Sequence, residues 1–211
     1  MKKTILTVAL FISIKSFAQT YLEPFAGISY DLRNKQHFTL VNTGMAISFK
    51  TNSFYEFSAG VIKKWGTNKK STDSAFTTNI SLPVSAIAEK IYQPSAFDLF
   101  INNRFTILKS NNINSLNLIL LFGISIQRVK VSYNYNKNDY TVLNPEISIA
   151  GTGFFAGTGI EYMKQIKKGR LIAQLSVATL PVTKKQPAIN SFRLLAPLSL
   201  NIGYSIPLSK K

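Results

Sequence analysis

Ala96-Phe97-Asp98-Leu99-Phe100-Ile101-Asn102-Asn103-Arg104-Phe105-Thr106-Ile107-Leu108 is the stretch whose reading decides the fold. Side chains of a strand change face at every residue. Phe97, Leu99, Ile101, Phe105 and Ile107 therefore share one face, and Asp98, Asn102, Arg104 and Thr106 share the other. Seven further segments alternate in the same way: Leu22–Tyr30, Thr43–Phe49, Tyr55–Val61, Leu116–Gln127, Phe154–Tyr162, Leu171–Val177 and Ala196–Leu208. Opposite the apolar rows stand small residues, as in Gly44, Ala46 and Ser48 or Gly203 and Ser205. A water-soluble sandwich is the competing reading, because half-buried strands alternate too. It needs a face suited to water, whereas small side chains suit a narrow lumen.

Segments of roughly 9–11 residues are long enough to cross a bilayer as tilted strands. Eight of them make an even number, which suits closure of an antiparallel barrel with both termini on one side. The connections Thr51–Ser53, Ser110–Ser115 and Gln165–Gly169 are short and rich in turn formers. Asp31–Phe38, Gly66–Pro94, Arg128–Gly151 and Pro181–Asn190 are longer. Short periplasmic turns and longer outer loops are the pattern of outer-membrane barrels. Thr78–Ala88 also alternates and is expected to form part of a hairpin extension within the long outer loop, residues 66–94. A ten-stranded barrel that also splits Arg128–Ala150 is the alternative.

The amino terminus agrees with this destination. Lys2 and Lys3 precede an apolar run from Thr4 to Ile14, and Ser16 and Ala18 occupy the small-residue positions of a cleavage site. Residues 1–19 thus read as a secretory signal peptide, and 20–211 as the barrel domain. The run is too short to span a bilayer as a helix. Removing Lys2, Lys3 and Lys15 from the 25 basic residues leaves 22 against nine acidic ones. Export removes nucleic acid as the partner for this charge. The chain has no cysteine, so no disulfide supports it outside the cytoplasm.

Several motifs resemble those of small outer-membrane β-barrel proteins of the Bacteroidetes type. They are the signal end Phe17-Ala18-Gln19, the opening Phe25-Ala26-Gly27-Ile28-Ser29-Tyr30, Leu121-Phe122-Gly123-Ile124-Ser125, Gly157-Thr158-Gly159-Ile160-Glu161-Tyr162 and Leu200-Asn201-Ile202-Gly203-Tyr204-Ser205-Ile206. The resemblance spans the mature chain and implies an architecture more than a shared activity. It implies the outer membrane of a Gram-negative bacterium, the barrel-insertion machinery as a partner, and a monomer.

Glu23, Glu56, Asp98, Glu161, Arg104 and Arg193 fall on inward faces. An eight-stranded barrel is just wide enough for side chains to fill it, so these charges are expected to pair and plug the lumen. Lys63, Lys64, Lys69, Lys70, Lys184 and Lys185 are expected to form an outer basic rim facing the phosphates of lipopolysaccharide. Tyr21, Tyr30, Trp65, Tyr133, Tyr135 and Tyr162 fall near strand ends, where aromatic girdles sit.

His37 with Asp73 and Ser74 resembles the His, Asp and Ser of the outer-membrane lipid A palmitoyltransferase, itself an eight-stranded barrel. The chain lacks that family's amphipathic amino-terminal helix, and Asp73-Ser74 sits in a Lys/Ser/Thr-rich loop composition. No enzyme is expected. One histidine and no cysteine give no metal cluster, and Gly151-Thr152-Gly153 lacks the following helix a phosphate loop needs. No cofactor is expected. The reading is a filled outer-membrane barrel with a structural or interaction role through its outer loops and an envelope or surface protein as partner. A narrow pore and a lipid A-modifying acyltransferase are the alternatives.

Overall fold

The computed structural model describes residues 19–30, 38–66, 68–110, 113–142, 146–179 and 198–208. The expected signal peptide through Ala18, His37, Lys184, Lys185 and Arg193 lie outside the described residues. Those described form nine strands: β1 (Gln19–Tyr30), β2 (Thr39–Lys50), β3 (Tyr55–Gly66), β4 (Lys69–Phe76), β5 (Ser85–Ser110), β6 (Asn114–Asn134), β7 (Glu146–Ile166), β8 (Gly169–Thr179) and β9 (Leu198–Pro207).

Every pairing between these strands is antiparallel. The sheet runs β3-β2-β1-β9-β8-β7-β6-β5 and closes on itself through β3 and β5. Eight strands thus form a barrel, and β4 lies outside the ring, paired along the outer part of β5 and bridged through Phe76 to Thr141. Strand partners can be followed once round the ring, from Thr106 through Asn117, Glu161, Gln174, Asn201, Gly27, Asn42 and Lys64. The path returns to β5 at Ala96, ten residues from its start. A stagger of that size on eight strands corresponds to a tilt of about 40° from the barrel axis.

Two prolines fit the ladder where no N–H is needed. The β1–β9 pairing is interrupted at Glu23 and Pro24. Pro94 lies in the gap where β5 changes partner, because Ser95 still pairs with β3 while Tyr92 already pairs with β4. At the end where β1 begins and β9 finishes, the connections are tight. Asn52 Oδ1 accepts the N–H groups of Phe54 and Tyr55 at 2.8 and 2.7 Å. Between β7 and β8 the chain turns at Lys167 and Lys168, with Lys167 in the left-handed region at φ 51°.

Thr78–Ala88 does belong to a hairpin extension: residues 77–84 make its turn, Ser85–Ala88 begin β5, and the ladder joins Lys69–Phe76 to Ser85–Tyr92. The expected loop Arg128–Gly151 is also shorter, since β6 continues to Asn134 and β7 begins at Glu146. These longer strands carry a sheet of β4, β5, β6 and β7 beyond the rim of the ring.

Alternation sets the two faces of the wall. Met45, Ile47, Val61, Phe97, Leu99, Ile101, Phe122, Ile126, Phe154, Ile160, Leu175, Leu200 and Ile202 are all exposed on the outside. An exposed apolar surface of this extent far exceeds what a soluble monomer shows. Among the described residues, no helix is long and apolar enough to cross a membrane.

Candidate functional site

The interior of the ring is stacked in zones. Along β2, the inward positions run from Ser48 through Ala46, Gly44 and Asn42 to Leu40, with Phe38 just before the strand. Together they cross four chemical zones.

Nearest the termini is an ionic zone. Arg104 Nη2 donates to Glu23 Oε2 at 2.7 Å, Nη1 to Glu56 Oε1 at 2.9 Å, and Nε to Glu161 Oε2 at 3.1 Å. Arg170 meets the same acids from the other side, with Nη1 2.6 Å from Glu56 Oε2 and Nη2 3.3 Å from Glu23 Oε1. Its guanidinium also lies 3.8 Å from the centre of the Tyr21 ring, and Ser205 Oγ accepts from its Nη2 at 3.0 Å. Ser48 donates to Glu23 and Asn117 to Glu161. All five charged side chains are buried. Five strands supply them, so the cluster ties β1, β3, β5, β7 and β8 across the lumen. An isolated ion in such surroundings costs several kcal/mol. Mutual pairing and hydrogen bonding offset that cost here.

The next zone is apolar: Ala46, Ile62, Phe100, Ile119, Leu121 and Phe155, with Phe25 against them. Phe25 meets Phe100 edge-on with centroids 6.0 Å apart. Room for these rings comes from glycine. A Cβ on Gly44 would run into the Phe25 ring, and one on Gly123 into the Phe155 ring.

A polar zone follows, in which Asn42 Nδ2 bonds Ser29 Oγ at 2.7 Å and Asn201 Oδ1 at 3.1 Å. Beside it Lys64 Nζ lies 2.7 Å from Asp98 Oδ2, and Ser125 donates to the same carboxylate. Phe38, Leu40, Val129 and Val131 close the mouth, with Tyr92 and Tyr133 packed on them. Small spaces remain in the interior among the described residues. One of about 90 Å³ opens towards the termini, lined by Lys50, Lys109, Asn114, Gln165 and the ionic zone.

Of the six charges read as one network, Glu23, Glu56, Arg104 and Glu161 come together. Asp98 does not join them, because it lies three inward positions further along β5 and pairs with Lys64. That pairing also corrects the position of Lys64, which is not on the rim but buried in the lumen. Its parity with Glu56, Ser58 and Ile62 on β3 requires this. Arg170 was missed as a lumen residue, although the even positions Gln174 and Ser176 of its own strand already marked the inward side. Tyr21 is likewise buried under Arg170 rather than standing in a girdle.

Of the remaining rim lysines, the described residues include Lys63 on the outward side of β3 and Lys69 and Lys70 on β4. Lys63 Nζ stands 5.4 Å from the Trp65 ring centre. Lys69 and Lys70 begin β4, where Lys70 pairs with Glu89 at 2.8 Å. Asp73 accepts the Ser74 N–H at 2.9 Å and the Tyr133 hydroxyl at 3.1 Å, with Lys90 at 3.6 Å. The Ser74 N–H, assisted by Tyr133 and Lys90, holds the Asp73 carboxyl below the usual aspartate range. This carboxylate is engaged within the hairpin. Among the described residues, no group of acidic or histidine side chains is arranged to hold a metal ion.

No family model and no curated protein matches this chain. Solved structures do resemble it. Ail, the attachment invasion locus protein of Yersinia pestis, superposes with a TM-score of 0.51 at 10% identity, covering 90% of this chain and 98% of that one. A major outer membrane protein of Thermus thermophilus gives a TM-score of 0.47 at 11% identity, over 90% and 99% of the two chains. At such identities the likeness to Ail concerns the fold: this chain is an all-β antiparallel barrel of the kind found in outer-membrane proteins.

Proposed function

We propose that the protein is an outer-membrane barrel with a filled lumen, serving as a rigid holder for an interaction surface on its outer side. The observation that carries this is the pairing of an exposed apolar wall with an interior closed by two ionic and two apolar zones. A wall of this kind needs lipid around it, and its closed antiparallel ring leaves no strand edge within the bilayer. The interior leaves little for a solute to pass through. What remains accessible is the sheet extension of β4 to β7, and binding residues concentrate on such projections from a rigid scaffold.

In this reading the termini face the periplasm, the insertion machinery delivers the chain as a monomer, and residues 1–19 direct export. Lys63, Lys69 and Lys70 meet lipopolysaccharide phosphates, with about 1 kcal/mol of attraction for each lysine near an anionic surface. The recognition partner is a surface or envelope component. Ail is itself described as an attachment invasion locus protein, which fits a role in contact rather than in transport.

Refolding into detergent, followed by gel migration with and without heating, tests the barrel. Conductance of the folded protein in a planar bilayer tests the plug. A heat-sensitive migration shift without steady conductance is expected. A stable open state would instead make the narrow pore the better reading.

A further inference from the structure

We propose that the tip of the β4–β5 hairpin is a lipid-docking element that inserts into a second bilayer, apposed to the one that holds the barrel. The inference rests on the reading of the ring as a membrane barrel.

From Ser74 to Ala88 the chain has no charged residue, although Lys, Arg, Asp and Glu make up 16% of the sequence. Four large apolar side chains of this stretch are turned out, while Ala75 and Ala88 are buried. Ile80 is 100% exposed, Ile87 80%, Val84 77% and Phe76 45%. Ser74 pairs with Ile87 and Phe76 with Ser85, which puts Phe76 and Ile87 on one face, while Ile80 and Val84 occupy the turn itself.

This apolar surface is separate from the barrel wall. Between the two lies a charged collar, formed by the Lys70–Glu89 and Asp73–Lys90 pairs. Ten residues of β5 separate Ser85 from Ser95, the last position paired with β3. At about 3.3 Å per residue and a tilt of about 40°, the tip stands roughly 25 Å beyond the closed ring. The membrane around the wall does not reach it.

The turn is held by hydrogen bonds of its own. Asn79 Oδ1 accepts both the N–H and the hydroxyl of Ser81, Asn79 N donates to Thr77 Oγ1, Leu82 N donates to Asn79 O, and Thr77 N donates to Val84 O. Phe76 exchanges two backbone bonds with Thr141 of the β6–β7 connection, at 2.7 and 2.8 Å. Each backbone group paired in this way lowers the cost of entering hydrocarbon. The same connection carries Tyr140 and Lys137, residue types suited to the headgroup level, together with Asp139, which accepts from Asn136. A protein partner would call for anchors such as Trp, Tyr or Arg set among polar contacts. The tip instead offers Ile, Val and Phe with no charge, which matches the interior of a bilayer.

The absence of cysteine makes the test direct, because Ile80→Cys can carry a single environment-sensitive fluorophore. The mature protein, held in a nanodisc, is mixed with phosphatidylcholine vesicles whose acyl chains are brominated. Insertion predicts a blue-shifted, quenched label, and at least a tenfold loss of vesicle retention for unlabelled Ile80→Ser/Val84→Ser. Three outcomes overturn the inference: no retention beyond empty nanodiscs, retention that survives the double substitution, or retention confined to anionic vesicles and lost in salt. A label that responds to added protein but not to vesicles overturns it as well. Heat-sensitive migration of the same samples separates the two levels. A folded barrel with a silent tip sinks only this inference, whereas a chain that never forms a heat-modifiable barrel sinks the reading beneath it.

Discussion

Strand β5 carries ion pairs near both of its ends. At one, Arg104 is enclosed with Glu23, Glu56 and Glu161 in the lumen, its side chain 5% exposed. At the other, Glu89 and Lys90 meet Lys70 and Asp73 on the hairpin, with Lys70 62% exposed. Both sets pair basic with acidic side chains, and the consequences differ. In the lumen, protein groups stand in for water around every charge, so the cluster cross-links strands far apart in sequence. On the hairpin, water is a ready substitute, and the pairs mark a polar collar between two apolar surfaces. Burial decides which of these tasks a charge performs.

The contrast is broken most severely by Arg104→Leu, which leaves three buried carboxylates to Arg170 alone. A loss of about 3–5 kcal/mol is expected, seen as a lower urea midpoint for the heat-modifiable form. A loss under 1 kcal/mol would show that the lumen is wet. Lys64→Met removes the partner of Asp98 but leaves the Ser125 hydroxyl in place. It is expected to cost about 1–3 kcal/mol in the same assay, clearly less than Arg104→Leu. Gly44→Val would test how tightly the apolar zone is filled. The added carbons meet the Phe25 ring, and overpacking costs about 1–3 kcal/mol.

On the hairpin the effects are small. Lys70→Ala is expected to leave the unfolding midpoint unchanged, since its partner Glu89 stands in water. Acid gives the finest test. Because the folded Asp73 carboxyl titrates below its unfolded counterpart, its contacts contribute above the usual aspartate range and are lost as pH falls through the lowered folded value. Limited proteolysis should then cut the hairpin faster in acid while the barrel stays intact, and Asp73→Asn should abolish that dependence.

The inward faces were legible because a period of two leaves little choice once one face needs lipid. Glu23, Glu56, Asp98, Arg104 and Glu161 all fall inward on that pattern alone. What was harder to see was position along the barrel axis. Lys64 and Arg170 lie close to strand ends, where a basic residue is easily read as part of a rim. Only the register shows that the ring has already closed around them. The hairpin extension was legible as such, but the position of its turn was not. Ile80, Leu82 and Val84 alternate as a strand does, but Asn79 captures the Ser81 N–H and bends the chain there.

By itself, the sequence determined which side of each strand faces lipid, because side-chain direction follows from parity and from the need to keep charge out of hydrocarbon. It also favoured closure into a ring, since an even set of strands facing lipid on one side has to satisfy its edges within the bilayer. The tertiary structure alone decided which charges meet. Glu56 and Arg170 are 114 residues apart in the chain and 2.6 Å apart in the lumen. That contact depends on the ten-residue stagger of the closed ring, a property of all eight strands together that no single segment carries.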